Sequence, residues 1–132
     1  MKESRMPSLI DKALQTATDT VAIRIGRGVV AETGAVFAQT FPGASAILIA
    51  DENTWKVAGR QVVESLTSAG VNLVDPYVFP GTPTLYAGYE NVEIVREVLR
   101  GVDAIPVAVS SGTLNDIVKR AAYEVDRKYM CV

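Results

Sequence analysis

A chain of 132 residues is long enough for one domain with a substantial core, and 48% of it is apolar, at a mean hydropathy of +0.19. Its 13 basic and 15 acidic side chains are scattered, so nothing advertises a nucleic-acid surface, and the lack of any histidine excludes Ser-His or Cys-His nucleophile pairs and histidine-held metals within this polypeptide. No apolar run approaches bilayer length, and Met1-Lys2-Glu3-Ser4-Arg5 lacks a signal peptide's apolar centre, so the expectation is a cytoplasmic protein.

In chain order, Ser8-Leu9-Ile10-Asp11 has the form of a capped helix start, continued on one face by Ala13, Leu14 and Ala17. Val21, Ile23 and Ile25 alternate with Ala22 and Arg24, which predicts a half-buried strand ending at Gly26. Gly26-Arg27-Gly28 does not complete a dinucleotide fingerprint, because the third glycine would fall at Ala31. It reads as a turn before a helix over 29–37, closed by Pro42 and Gly43. The unbroken apolar run 46–50 predicts a strand covered on both faces of a parallel sheet. It ends at Asp51-Glu52-Asn53-Thr54, after which Val57, Ala58, Val62, Leu66 and Ala69 mark a helix closed by Gly70. Asp51 thus lies just past a strand's carboxyl end, where a carboxylate can accept the hydroxyls of a ribose or can simply cap the turn. Residues 71–79 predict another strand, with Pro76 arguing for an edge or a bend. Tyr89, Val92, Val95, Val98 and Leu99 trace a further helix.

The stretch most informative about function comes next. The uncharged run 104–109 predicts a buried strand, Ser110-Ser111-Gly112-Thr113 a tight loop, and Leu114, Ile117, Val118, Ala121 and Ala122 a helix that follows at once. Such a junction gathers free backbone N–H groups and the positive end of a helix dipole at a strand's carboxyl end, a place suited to phosphate. The same residues also make an ordinary turn and helix cap, with Asn115 and Asp116 favouring the dipole, and both readings stand at this point. A strand over 129–132 completes the chain, with Cys131 expected to pack in the core. Strands alternating with helices give an α/β layered domain with a mostly parallel sheet and helices on both faces. Because the chain stops at Val132 inside a predicted core strand, it reads as a piece of a longer protein.

Ser111-Gly112-Thr113-Leu114-Asn115-Asp116-Ile117-Val118-Lys119, then Ala121-Ala122-Tyr123 and Lys128-Tyr129-Met130-Cys131-Val132, resembles the Gly-Ser-Gly-Thr-x-Asn-Asp segment of glycerol-1-phosphate dehydrogenases. Those proteins belong with 3-dehydroquinate synthases, glycerol dehydrogenases and iron-containing alcohol dehydrogenases. The resemblance implies a Rossmann-like, NAD(P)-binding N-terminal domain over residues 1–132. It would place Asp51 on the adenine ribose, the Ser110, Ser111, Gly112 and Thr113 loop on the pyrophosphate, and Asp116 toward the nicotinamide end. Members of the group usually carry glycine where this chain has Ser110, a substitution costly wherever the loop needs positive φ or close backbone approach. The carboxylate of Asp51 tilts the cofactor toward NAD, while Lys56 leaves NADP open. The group's helical C-terminal domain, which holds zinc or another divalent metal, is absent here. The implied whole is therefore a polyol-phosphate dehydrogenase, and this chain alone is expected to be catalytically inert.

A second resemblance, ranked below the first, is to the Gly-Gly-Asp-Gly-Thr-x-Asn-Glu loop of lipid and NAD kinases, with Ser111 in place of the loop's aspartate. A non-catalytic nucleotide-binding module is the third reading. The apolar content predicts a homo-oligomer.

Overall fold

The computed structural model describes residues 28–81 and 85–132, so the expected helix and strand before Gly26, and the Gly26-Arg27 turn itself, lie outside the described residues. A 3₁₀ turn, Val29–Glu32, leads into α1 (Thr33–Thr40) and β1 (Ala46–Asp51). A short α2 (Glu52–Thr54) runs through a π-helical stretch, Trp55–Gly59, into α3 (Arg60–Ser68). Then come β2 (Tyr77–Phe79), α4 (Tyr89–Arg100), β3 (Ile105–Ala108), α5 (Gly112–Glu124) and β4 (Met130–Cys131). The four described strands form one parallel sheet in the order β2-β1-β3-β4. The expected Rossmann-like α/β architecture is therefore present.

Both faces of β1 are covered, and its alternation divides the core in two. Ile47 and Ile49 pack with Val92, Val95 and Leu99 of α4 and with Leu114, Ile117, Val118 and Ala121 of α5. Ala46, Leu48 and Ala50 pack with Phe37 of α1 and Val62 and Leu66 of α3. Helices thus lie on both sides of the sheet, which is why β1 reads in sequence as an apolar run without alternation. Among the described residues no helix is long and apolar enough to cross a membrane.

Pro106 sits inside the central strand β3, level with Ile47. Ile105 and Val109 donate their N–H groups toward β1, to Ser45 and Ile49, so the position between them that lacks an N–H faces β4. On that side pairing begins only at Val107 with Met130, and no ladder bond is lost.

Three expectations are corrected. The strand over 71–79 is reduced to Tyr77–Phe79 plus a lone bridge from Leu73 to Ala46, because Asp75-Pro76 interrupts the ladder; the edge position argued from Pro76 holds among the described strands. Val57, taken for the core face of a helix, is 81% exposed, since the π-helical stretch displaces the helical period there. Cys131 is exposed: β4 lies at the edge of the sheet formed by the described strands.

Helix ends are set by local chemistry. Gly70, at φ +80°, closes α3 with Val71 N–H bonding Leu66 C=O and Gly70 N–H bonding Thr67 C=O. α5 ends the same way, but with Asp126 in the left-handed conformation at φ 54°. The residue after it, Arg127, sends Nη1 to the carbonyls of Leu99, Val102 and Ala104 at 2.7, 2.9 and 3.2 Å. The C-terminal ends of α4 and α5 are thereby pinned to the start of β3. On the outside of the same helix pair, Tyr89 donates to Glu124 (2.8 Å), Arg96 donates to the Tyr89 hydroxyl (2.9 Å), and Arg120 pairs with Glu124.

Two outcomes follow from this packing. α1 approaches α3 so closely at Gly34 that a Cβ there would lie 2.0 Å from the Ser65 carbonyl oxygen, where Gly34 N–H also bonds Ser65 Oγ. Gly34→Ala must push the helices apart, and a loss of about 1–3 kcal/mol is expected, read as a lower thermal unfolding midpoint by circular dichroism. The Tyr89 hydroxyl, then Arg120, hold the Glu124 carboxyl below its ordinary value against the opposing effect of burial. A lowered folded-state value contributes stability above the ordinary carboxylate range and loses it as pH falls through the lowered value. Glu124→Gln is therefore expected to destabilise the chain at neutral pH, with the gap to the parent closing in acid; a gap independent of pH would refute that origin.

Candidate functional site

The chain leaves β1 toward β2 on one side and leaves β3 toward β4 on the other, so the carboxyl ends of these adjacent strands flank the point where the described sheet changes direction. Such a change of direction is the usual ligand position in open α/β sheets. Ile49 is level with Ala108, the last residue of β3, so Asp51 and Ser110 each stand two residues beyond that level at the carboxyl ends of adjacent strands. Asp51 and the small-residue loop, read separately in sequence, are thus brought to the carboxyl ends of adjacent strands.

The two strand ends differ in how their helices begin. On the β1 side Asp51 is 9% exposed and serves as the N-cap of α2: its Oδ1 accepts the Thr54 N–H at 2.8 Å. Thr54 Oγ1 in turn accepts the Asp51 N–H at 3.0 Å, closing a reciprocal capping box. Among the described residues no bond is made to the second carboxylate oxygen, Oδ2. Next to it, Glu52 accepts the Gly81 N–H at 2.6 Å and ties the turn to the loop after β2.

On the β3 side Ser111 is the N-cap of α5 in extended conformation, φ −80° and ψ 173°, yet makes no side-chain cap. The first N–H groups of a 13-residue helix therefore carry the dipole's positive end with no N-cap side chain bonded to them. A Cβ built on Gly112 would meet nothing within 4 Å, so the space before these groups is open. The loop is held from both neighbours: Val109 N–H bonds Ile49 C=O, Ser110 N–H bonds Val132 C=O, and Ser110 Oγ lies 3.2 Å from Cys131 Sγ. Ser110 needs no positive φ, since Asp126 alone among the described non-glycine residues has one. Its side chain is turned to Cys131, and no cost of positive φ falls on a serine there.

Thr113 is half-buried on the first turn, and Asp116 is exposed one turn further along α5. Burial pushes the Tyr129 phenol up, with Cys131 and Asp116 adding to the effect and a hydrogen bond from Asn115 opposing it. Asn115 Oδ1 is buried without a donor among the described residues. Sequence reasoning missed Thr54, Glu52 and Cys131 as parts of this site. The Asp-x-x-Thr spacing was a legible capping signal, whereas the other two are joined only through tertiary contacts.

An open helix N-terminus, clear space over Gly112 and a carboxylate with one oxygen free suit a ligand with a diphosphate and a vicinal diol, as the sequence resemblance implies. They do not suit a metal: among the described residues no three His, Cys, Asp or Glu side chains come together.

A family profile described as iron-containing alcohol dehydrogenase matches residues 24–132. A crystal structure of glycerol dehydrogenase from Schizosaccharomyces pombe is similar in fold, with a TM-score of 0.61 at 18% identity, over 80% of this chain and 25% of that one. The NADH-dependent butanol dehydrogenase A of Thermotoga maritima is similar with a TM-score of 0.50 at 25% identity, over 74% of this chain and 24% of that one. The chain spans about a quarter of the length of these two structures. A comparison with curated proteins gives no match.

Because Gly112 opens a helix with free space around it and without positive φ, Gly112→Ala is expected to leave stability unchanged or raise it by up to about 1 kcal/mol. A clear fall in the thermal midpoint would mean that the loop is packed more tightly than this geometry describes.

Proposed function

The chain belongs to the iron-containing alcohol dehydrogenase family, and from that membership we propose that residues 1–132 are the N-terminal dinucleotide-binding domain of a longer, metal-dependent, NAD(P)-linked dehydrogenase. The substrate class proposed for the whole protein is a polyol phosphate, sn-glycerol 1-phosphate above all, acted on in the cytoplasm. The observation that carries the reading is the presence, at the carboxyl ends of adjacent strands, of the uncapped N-terminus of α5 and the half-committed carboxylate of Asp51.

In this reading the Ser111, Gly112 and Thr113 N–H groups take the pyrophosphate oxygens, and the helix dipole stabilises their charge without reorganising. Ser110 holds the loop against β4 through Val132 and Cys131. Asp51 accepts the adenosine ribose hydroxyls through Oδ2, while its negative charge repels a 2′-phosphate and so favours NAD over NADP. Asp116, exposed on the next turn of α5, lies toward the nicotinamide end. Bound nicotinamide supplies a hydride acceptor or donor. The metal that polarises the substrate oxygen belongs to the second domain, since these residues offer no ligand set, and the chain by itself binds without turning over.

Calorimetric titration with NADH, NADPH and ATP, with and without magnesium, tests this directly. NADH is expected to bind preferentially and without magnesium. Asp51→Asn keeps the cap but removes the accepting charge, and is expected to weaken NADH by roughly 10-fold or more, the scale of a hydrogen bond to a charged group. Magnesium-dependent ATP binding would replace the reading with a phosphotransferase lobe, and binding of none of the three would end it.

A further inference from the structure

We infer that Thr54 is a positioning residue for cofactor selection, setting the one carboxylate oxygen through which Asp51 reads the adenosine ribose; this rests on the dinucleotide reading above. Thr54 reaches Asp51 at three points. Its N–H donates to Oδ1 at 2.8 Å, its Oγ1 accepts the Asp51 N–H at 3.0 Å, and its hydroxyl lies 3.2 Å from the Asp51 carbonyl as donor. Backbone and carboxylate of the same residue are therefore held by a single partner three positions away.

The consequence is an asymmetric carboxylate. With Oδ1 engaged by the Thr54 N–H and the Asp51 backbone clamped by the Thr54 hydroxyl, rotation about the side-chain torsions is restricted, and Oδ2 is left as the oxygen without a bond among the described residues. A carboxylate free to rotate would offer either oxygen, in many orientations, to a diol or to water. It would also lose part of the ordering that makes its charge repel a 2′-phosphate from a fixed place. Asp51 is nearly buried at the end of a strand whose other residues are fully buried, so the main chain beneath it does not move to compensate. Selectivity at the ribose is thus set by a threonine that does not itself touch the ligand.

The test compares affinities of the 132-residue chain for NADH and for its analogue lacking the adenosine 2′-hydroxyl, measured by calorimetry for the parent, Thr54→Val, Thr54→Ser, Asp51→Asn and the Thr54→Val/Asp51→Asn pair. Thr54→Val is expected to weaken NADH about 5-fold while moving the analogue less than about 2-fold, so that discrimination between the two shrinks. Thr54→Ser restores the hydroxyl and the discrimination. In the paired variant the valine adds nothing to the loss of discrimination caused by Asp51→Asn, since both act on one interaction. Equal weakening of both ligands by Thr54→Val would assign Thr54 a general structural role and overturn the inference, as would a Thr54→Val chain that no longer folds. If Asp51→Asn itself leaves discrimination intact, the assignment of Asp51 to the ribose fails, and the role of Thr54 fails with it. An effect of Asp51→Asn without one of Thr54→Val sinks the positioning role alone.

Discussion

The alignment of β1 with β3 is the constraint on which the candidate site depends. Ala46 to Ile49 pair residue by residue with Ile105 to Ala108, and Asp51 and the Ser110 loop follow at the carboxyl ends of the two strands. A slip of one residue would exchange the two faces of β1, moving Ile47 and Ile49 from the α4–α5 side to the α1–α3 side. Burial on both faces makes that exchange costly at every position. The placement of Asp51 and Ser110 at adjacent strand ends is thus a by-product of core packing, held by far more apolar surface than the site itself contains.

On that platform two helices start side by side and resolve their free N–H groups in opposite ways. α2 is short and closed on itself by the reciprocal bonds of Asp51 and Thr54. α5 is long, and its N-cap Ser111 leaves the first turn uncovered. A helix that donates those groups to solvent forgoes the stabilisation of a cap, typically about 1 kcal/mol, and retains a place for an anion. The electrostatic character of the candidate site follows: the positive end of a helix dipole after β3 and a carboxylate after β1.

The opposite ends of the helices carry the mechanical support. Arg127 bridges the last carbonyls of α4 and the entry to β3, and it can do so because Asp126 turns the chain back in a left-handed cap. The Glu124, Tyr89 and Arg96 cluster ties the same helices one turn higher. α5 is therefore fixed along its C-terminal half, while its N-terminal turn is held by Leu114 in the core and by the Ser110 loop. Rigidity at the far end lets the near end present its N–H groups in constant geometry.

The sequence by itself determined the α/β class, the parallel sheet, the order of the described elements and the buried faces of α4 and α5, because runs such as 46–50 and spacings such as Leu114, Ile117, Val118 and Ala121 report burial directly. It also marked Asp51 and the loop from Ser110 to Thr113 as candidates, since strand ends and helix starts have local chemical signatures. It could not decide between a cap and a ligand contact at Asp51. The structure gives Asp51 the cap through Oδ1 and leaves Oδ2 without a bond among the described residues, which makes the two readings compatible. Nor could it foresee the exposure of Val57, the shortness of β2, or the exposure of Cys131 beside Ser110. Those depend on which strands become neighbours and where helices cover them, and periodicity along one segment carries no information about what lies across from it.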